Sequence, residues 1–157
     1  MRSSFFSSLF FISFFISIVF ICYLKEFHIM NDLKLFQITE EDKDHYKKVI
    51  QKIDVNNMEI IIKVLGEKIQ KIINHGNLNR AEVILIEDMG KLSRILEENL
   101  DLPKLVIQKI LFAMSYFIDE NDEIPDIIPE YGYLDDLTVV NWIMEDIQKK
   151  LPDVANA

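Results

Sequence analysis

From Ile38 onward, apolar residues recur at intervals of three and four, and no alternating run is long enough to build a sheet. That period gathers apolar side chains on one stripe of a helix, so the pattern predicts an all-α unit. A first helix is expected to begin at Thr39, whose hydroxyl can cap the acidic turn that follows, with Tyr46, Val49, Ile50 and Ile53 on one face. Asp54-Val55-Asn56-Asn57 interrupts it. A second helix carries Met58, Ile61, Ile62, Leu65, Ile69, Ile72 and Ile73, with Glu59 and Glu67 each four residues ahead of a lysine. It ends at Asn74-His75-Gly76-Asn77, where Gly76 suits a left-handed cap.

The third predicted helix, Arg80 to about Glu98, carries Ala81, Leu85, Met89, Leu92 and Leu96, and Gly90 marks a weak point in it. Asp101 is the expected N-cap of the fourth, with Pro103 in its first turn. Between Leu105 and Ile118 only Gln108, Lys109 and Ser115 are polar, so this helix should be buried on nearly every side. At 14 residues with Lys109 inside, it is too short to be a membrane span. A fifth helix from about Leu134 places Leu137, Val140, Met144, Ile147 and Leu151 on one face and stops at Pro152. The expectation is four or five helices packed around the fourth.

The first thirty residues break this pattern. Phe5 to Leu24 is 20 residues without a charge, about 30 Å as a helix and enough to cross a hydrocarbon core. Arg2 precedes it and Lys25-Glu26 follow, the flanks of an uncleaved signal-anchor, and no small-x-small cleavage site comes after it. Eight of the eleven phenylalanines lie before Met30, so a start at Met30 is the alternative, giving a soluble regulator. The chain thus divides into an anchor over residues 1–29, an amphipathic helical region over 30–101, a helical hairpin with an acidic turn over 102–151, and a tail over 152–157.

Composition narrows the chemistry. With 17 Lys+Arg against 26 Asp+Glu the net charge is −9, and no basic patch interleaved with aromatics marks a nucleic-acid partner. Cys22 is the single cysteine, which excludes an internal disulfide. His28, His45 and His75 lack metal-ligand spacing, Ser93 and Ser115 lie in helices without a GxSxG turn, and four glycines form no phosphate loop. No catalytic set is recognisable.

One segment stands out. Asp119 to Asp136, DENDEIPDIIPEYGYLDD, holds eight carboxylates, two prolines and no basic residue. Asp119, Asn121, Glu123 and Glu130 match the first, third, fifth and twelfth positions of an EF-hand loop, but the obligatory glycine is Ile124 and two prolines intervene. Two readings stay open. Asp122, Asp126, Asp135 and Asp136 converge on a hard divalent cation, Ca²⁺ or Mg²⁺, or Asp126, Asp135 and Asp136 satisfy free backbone N–H groups at helix starts. Without a cation or caps, the crowded carboxylates should repel, raise their pKa values and favour mildly acid pH. Trp142, Tyr131 and Tyr133 nearby are expected to pack, or to form an aromatic docking surface.

The pattern Tyr116, then Asp122-x-Ile124-Pro125-Asp126-x-Ile128-Pro129-x-x-Gly132-x-Leu134-Asp135-Asp136, resembles the signature of the YkvA-like family, a small helical bacterial domain of unknown function. The resemblance spans roughly Ile110 to Val140. Many members carry proline where this chain has Glu120. The resemblance implies a helical fold and, since members are often described as membrane proteins, membrane association. It carries over no catalytic residue, and the matching positions are Asp122, Pro125, Asp126, Pro129, Gly132, Asp135 and Asp136. The expected protein is a membrane-associated, non-enzymatic helical module acting through protein or lipid contact. The alternative is a cation site in the acidic turn with a regulatory or hydrolytic role.

Overall fold

The structure, a computed structural model, describes residues 37–99, 101–120 and 133–150. Every regular element among them is helical: α1 (Glu40–Lys52), a 3₁₀ turn (Val55–Asn57), α2 (Met58–His75), α3 (Arg80–Glu98), α4 (Lys104–Ile118) and α5 (Leu134–Lys150). None of these helices is long and apolar enough to cross a membrane. The anchor predicted at residues 1–29 lies outside the described residues.

Local side-chain signals set the starts of α1, α3 and the 3₁₀ turn. The Thr39 hydroxyl accepts from the Asp42 N–H at 3.1 Å, and the Asp42 carboxylate accepts from the Thr39 N–H at 2.8 Å, a reciprocal capping box. Asn79 and Glu82 repeat the device at the head of α3, at 2.9 and 2.7 Å. The Asp54 side chain accepts from the Asn56 N–H and starts the 3₁₀ turn that redirects the chain into α2. Gly76 ends α2 with φ +69 and ψ 171, a glycine region distinct from the left-handed helical cap expected there, and Asn77 at φ 53 takes the left-handed position instead.

Other starts differ from the pattern. The fourth helix does not use Asp101 as its cap. Pro103 stands at the cap, and its carbonyl accepts from Val106 and Ile107 at 2.8 and 3.2 Å, so the helix begins at Lys104. Proline fixes φ and lacks an N–H, which makes it a natural boundary two residues past Asp101. Gly90 does not interrupt α3, because Leu85, Met89, Leu92 and Ile95 bury a continuous face on either side of it.

α4 is the buried centre, with α2 and α5 packed most extensively on it, α1 beside them, and α3 lying chiefly on α5. Ile110, Leu111, Ala113, Met114 and Phe117 are all fully buried. Each large side chain removed from water in this way contributes about 1.5–3 kcal/mol before conformational entropy is subtracted. Opposite them lie Ile50 of α1, Leu65 of α2, Leu85 and Met89 of α3, and Val139, Val140 and Ile143 of α5.

Gln108 and Lys109 in the first half of α4 are buried as well, and each has a partner. α1 leaves carbonyls without intrahelical donors at its C-terminus, and the Gln108 amide donates to Gln51 O at 3.1 Å and Ile53 O at 2.9 Å. That pair of bonds fixes α1 against α4. It also sets the rotation of α4 that turns the next residue, Lys109, toward α5.

Candidate functional site

Of the signature residues, the structure describes Tyr116 near the end of α4 and Asp135 and Asp136 at the start of α5. Asp135 and Asp136 are the second and third residues of α5, and both are fully buried. The helix starts at once after Tyr133, whose carbonyl accepts from the Leu137 N–H at 3.1 Å, so both carboxylates lie at the positive end of the helix dipole. Buried carboxylates require hydrogen bonds or a counter-charge, and both engage partners in the fold.

Aromatic rings from α1, α4 and α5 pack together. Tyr46, Phe112, Tyr116 and Trp142 form one cluster, with Tyr46 edge-on to Tyr116 at 5.9 Å and 81°. Phe117 meets Tyr133 at 6.1 Å. Lys68 of α2, only 7 % exposed, places its Nζ 4.8 Å from the Phe117 ring centroid and 5.7 Å from that of Tyr133. Ring faces offset part of the cost of taking that ammonium out of water. Nothing in the spacing of α2 announced this, because Lys68 falls on an otherwise apolar stripe between Leu65 and Ile72.

The entrance to the acidic segment behaves differently from a set of repelling carboxylates. The Lys71 Nζ donates to Glu120 at 2.7 Å, and that hydrogen bond holds the Glu120 carboxyl below its ordinary value. The direction is opposite to the rise expected from crowding, because the hydrogen bond from the Lys71 ammonium outweighs the cost of burial. Lys71 of α2 therefore pairs with a residue just past the end of α4, while Glu67 faces Lys63 at 4.0 Å. Lys68, Lys71, Ile72, His75, Glu120 and Tyr133 border an open cleft of about 280 Å³ here.

Asp122, Pro125, Asp126, Pro129 and Gly132 lie outside the described residues, as does Tyr131. Of the four carboxylates expected to hold a cation, only Asp135 and Asp136 are described. Among the described residues no three His, Cys, Asp or Glu side chains are grouped as metal ligands. Tyr133 packs as expected, being buried, and Trp142 is half-buried.

A second constellation centres on Lys109 in the first half of α4. The Lys109 ammonium, with a side chain only 10 % exposed, donates to Asp146 of α5, which also accepts from Lys150 at 3.0 Å. Burial pushes the Lys109 pKa down, and the neighbouring Lys150 adds to that, against the pull of Asp146. Burial pushes the Asp146 carboxyl up, but hydrogen bonds from Lys109 and Lys150 outweigh it and leave it below its ordinary value. Hydrogen bonding with Lys109, and then with Asp146, raises Lys150. Lys47 and Gln51 of α1 and Leu105 and Trp142 complete the walls of a cleft of about 210 Å³. The signal available in the sequence was one lysine inside an apolar helix, and its partner is 37 residues away.

A family model described as a protein of unknown function (DUF1232) matches residues 107–142, less than a quarter of the chain. The matched stretch runs from the first turn of α4 to the middle of α5 and includes Gln108, Lys109, Tyr116, Phe117, Asp135, Asp136 and Trp142. Lys68, Asp146 and Lys150 lie beyond it. No curated protein and no solved structure matches the chain. The similarity supports a small family domain without an assigned activity, built on the α4–α5 hairpin.

Proposed function

We propose that the chain is a non-enzymatic helical contact module held at a membrane by residues 5–24 and acting through protein or lipid contact. One observation carries this reading: 20 consecutive uncharged residues, flanked by Arg2 and Lys25, precede the helical unit. On the folded unit, Ile60 (63 % exposed), Val64, Ile73, Leu78 and Val83 leave apolar side chains on the surface of α2, α3 and the turn between them. Such residues are the surface through which a contact module would work. The resemblance of Tyr116 and the acidic turn to the YkvA-like family points the same way.

Alkaline carbonate extraction of membranes from cells expressing the full chain tests the reading. Retention in the pellet is expected. Recovery in the supernatant refutes the anchor, and a mature N-terminus at Met30 by mass spectrometry would turn the protein into a soluble regulator.

A second reading places Ca²⁺ or Mg²⁺ on Asp122, Asp126, Asp135 and Asp136. It is favoured by the complete withdrawal of Asp135 and Asp136 from water at the end of an acid-rich segment, since hard cations take carboxylate oxygens. Calorimetric titration of the full chain with each cation, repeated on Asp135→Asn and Asp136→Asn, decides it. Heat and a higher melting temperature in the parent chain, both lost in the variants, support the site. Absence of both in the parent chain removes it.

A further inference from the structure

We propose that the cleft between α1, α4 and α5 binds the phosphate of a phosphomonoester, with Lys47, Lys109 and Lys150 as counter-charges and Leu105 and Trp142 as the wall for its carbon portion. Each lysine comes from a different helix, and the three meet in a chain whose net charge is −9. The charged groups facing the cleft are Lys47 of α1 with its Asp44 partner at 2.8 Å, Lys109 of α4, and Asp146 and Lys150 of α5. Only Asp146 among the carboxylates lines it. Three lysines against Asp146 in the lining and Asp44 beside Lys47 still leave an excess of positive charge that suits a phosphomonoester, a near-dianion at neutral pH, better than a carboxylate.

The donor type points the same way. No arginine lines the cleft, so the planar fork that recognises carboxylates is absent from its described walls, whereas lysines act as movable point charges around a tetrahedral group. Asp146 keeps Lys109 and Lys150 oriented, and the half-exposed Lys47 turns from Asp44 toward a bound anion at little cost. A phosphate beside Lys109 favours the charged form of a side chain that burial disfavours.

Size limits the ligand. About 210 Å³ is below the ~300–1,000 Å³ of sites that enclose whole cofactors or drug-sized molecules, so a head group fits and a nucleotide does not. Leu105, 45 % exposed, lets an alkyl portion continue along an apolar edge. A soluble alkyl phosphate and the head group of phosphatidic acid share this chemistry. Phosphomonoester binding here does not rest on the proposed anchor, because a soluble phosphomonoester needs no membrane.

Trp142 is the only tryptophan in the chain, so its fluorescence reports on the cleft directly. The full chain in neutral detergent is titrated with inorganic phosphate and hexyl phosphate. In parallel, it is reconstituted into phosphatidylcholine vesicles with or without phosphatidic acid. A saturable change in emission is expected, stronger for hexyl phosphate than for inorganic phosphate. Lys47→Gln and Lys150→Gln, both at half-exposed side chains and so compatible with folding, should each weaken binding about fivefold or more. Lys63→Gln on α2, away from the cleft, should leave it unchanged. A response to hexyl phosphate identifies a soluble ligand class, and one confined to phosphatidic-acid vesicles identifies a lipid head group. No saturable response in either arm, or equal responses in the parent chain and the Lys47→Gln, Lys150→Gln double variant, overturns the proposal.

Discussion

Removing either partner of the Lys109–Asp146 pair should have unequal consequences. Asp146→Asn leaves the Lys109 ammonium, 10 % exposed, facing a neutral amide and the like charge of Lys150. Breaking a fully buried pair in this way costs about 3–5 kcal/mol. Asp146 is 32 % exposed, so solvent screening reduces the expected loss to about 1–2 kcal/mol. Lys109→Met keeps the length of the side chain, places a thioether among Ile143 and Trp142, and leaves Asp146 with Lys150. Its expected effect is within about 1 kcal/mol of zero, with stabilisation permitted. Thermal unfolding followed by far-ultraviolet circular dichroism should show a drop of about 4–8 °C for Asp146→Asn and little change for Lys109→Met. In the Lys109→Met background, Asp146→Asn should cost less than about 0.5 kcal/mol, because only the half-exposed Lys150 pair remains. A Lys109→Met variant as unstable as Asp146→Asn, or an Asp146→Asn cost equal in both backgrounds, would refute the reasoning.

Three further outcomes are expected. Gly76→Ala should destabilise by about 1–2 kcal/mol because its φ and ψ belong to a glycine-only region, whereas Gly66→Ala and Gly90→Ala, whose added Cβ meets nothing within 4 Å, should each stabilise by about 0.5–1 kcal/mol; denaturant unfolding would read both signs. The Glu120 carboxyl is lowered in the folded state, so its contribution is present above the unfolded value near 4.5 and is lost as pH falls through the folded value. An NMR titration should give a midpoint below 4.5 that rises in Lys71→Gln, and a parent midpoint above 4.5 would restore the picture of mutual repulsion. Asn79→Ala removes one half of the capping box of α3 and should cost about 1 kcal/mol in the same unfolding assay, with no loss counting against the box.

The sequence by itself determined the helices. Spacings of three and four placed Leu65, Ile72, Leu85, Met89, Leu92, Val140 and Ile147 on buried faces, and the near absence of polar residues between Leu105 and Ile118 marked α4 as the centre. Thr39 was legible as a cap because a capping box is built from residues three apart. These are properties of contiguous segments, where period and side-chain chemistry act over a single turn. Tertiary structure alone decided the partners. Gln108 closes the end of α1 across 57 residues, Lys71 chooses Glu120 over Glu67, Lys68 slides beneath Phe117 and Tyr133, and Lys109 meets Asp146. Those choices depend on how the helices are rotated and crossed, which no single helix's period encodes. The acidic turn drew attention through its composition, but Lys109 turned from an odd polar residue into a cleft wall only when α1 and α5 were packed on either side of it.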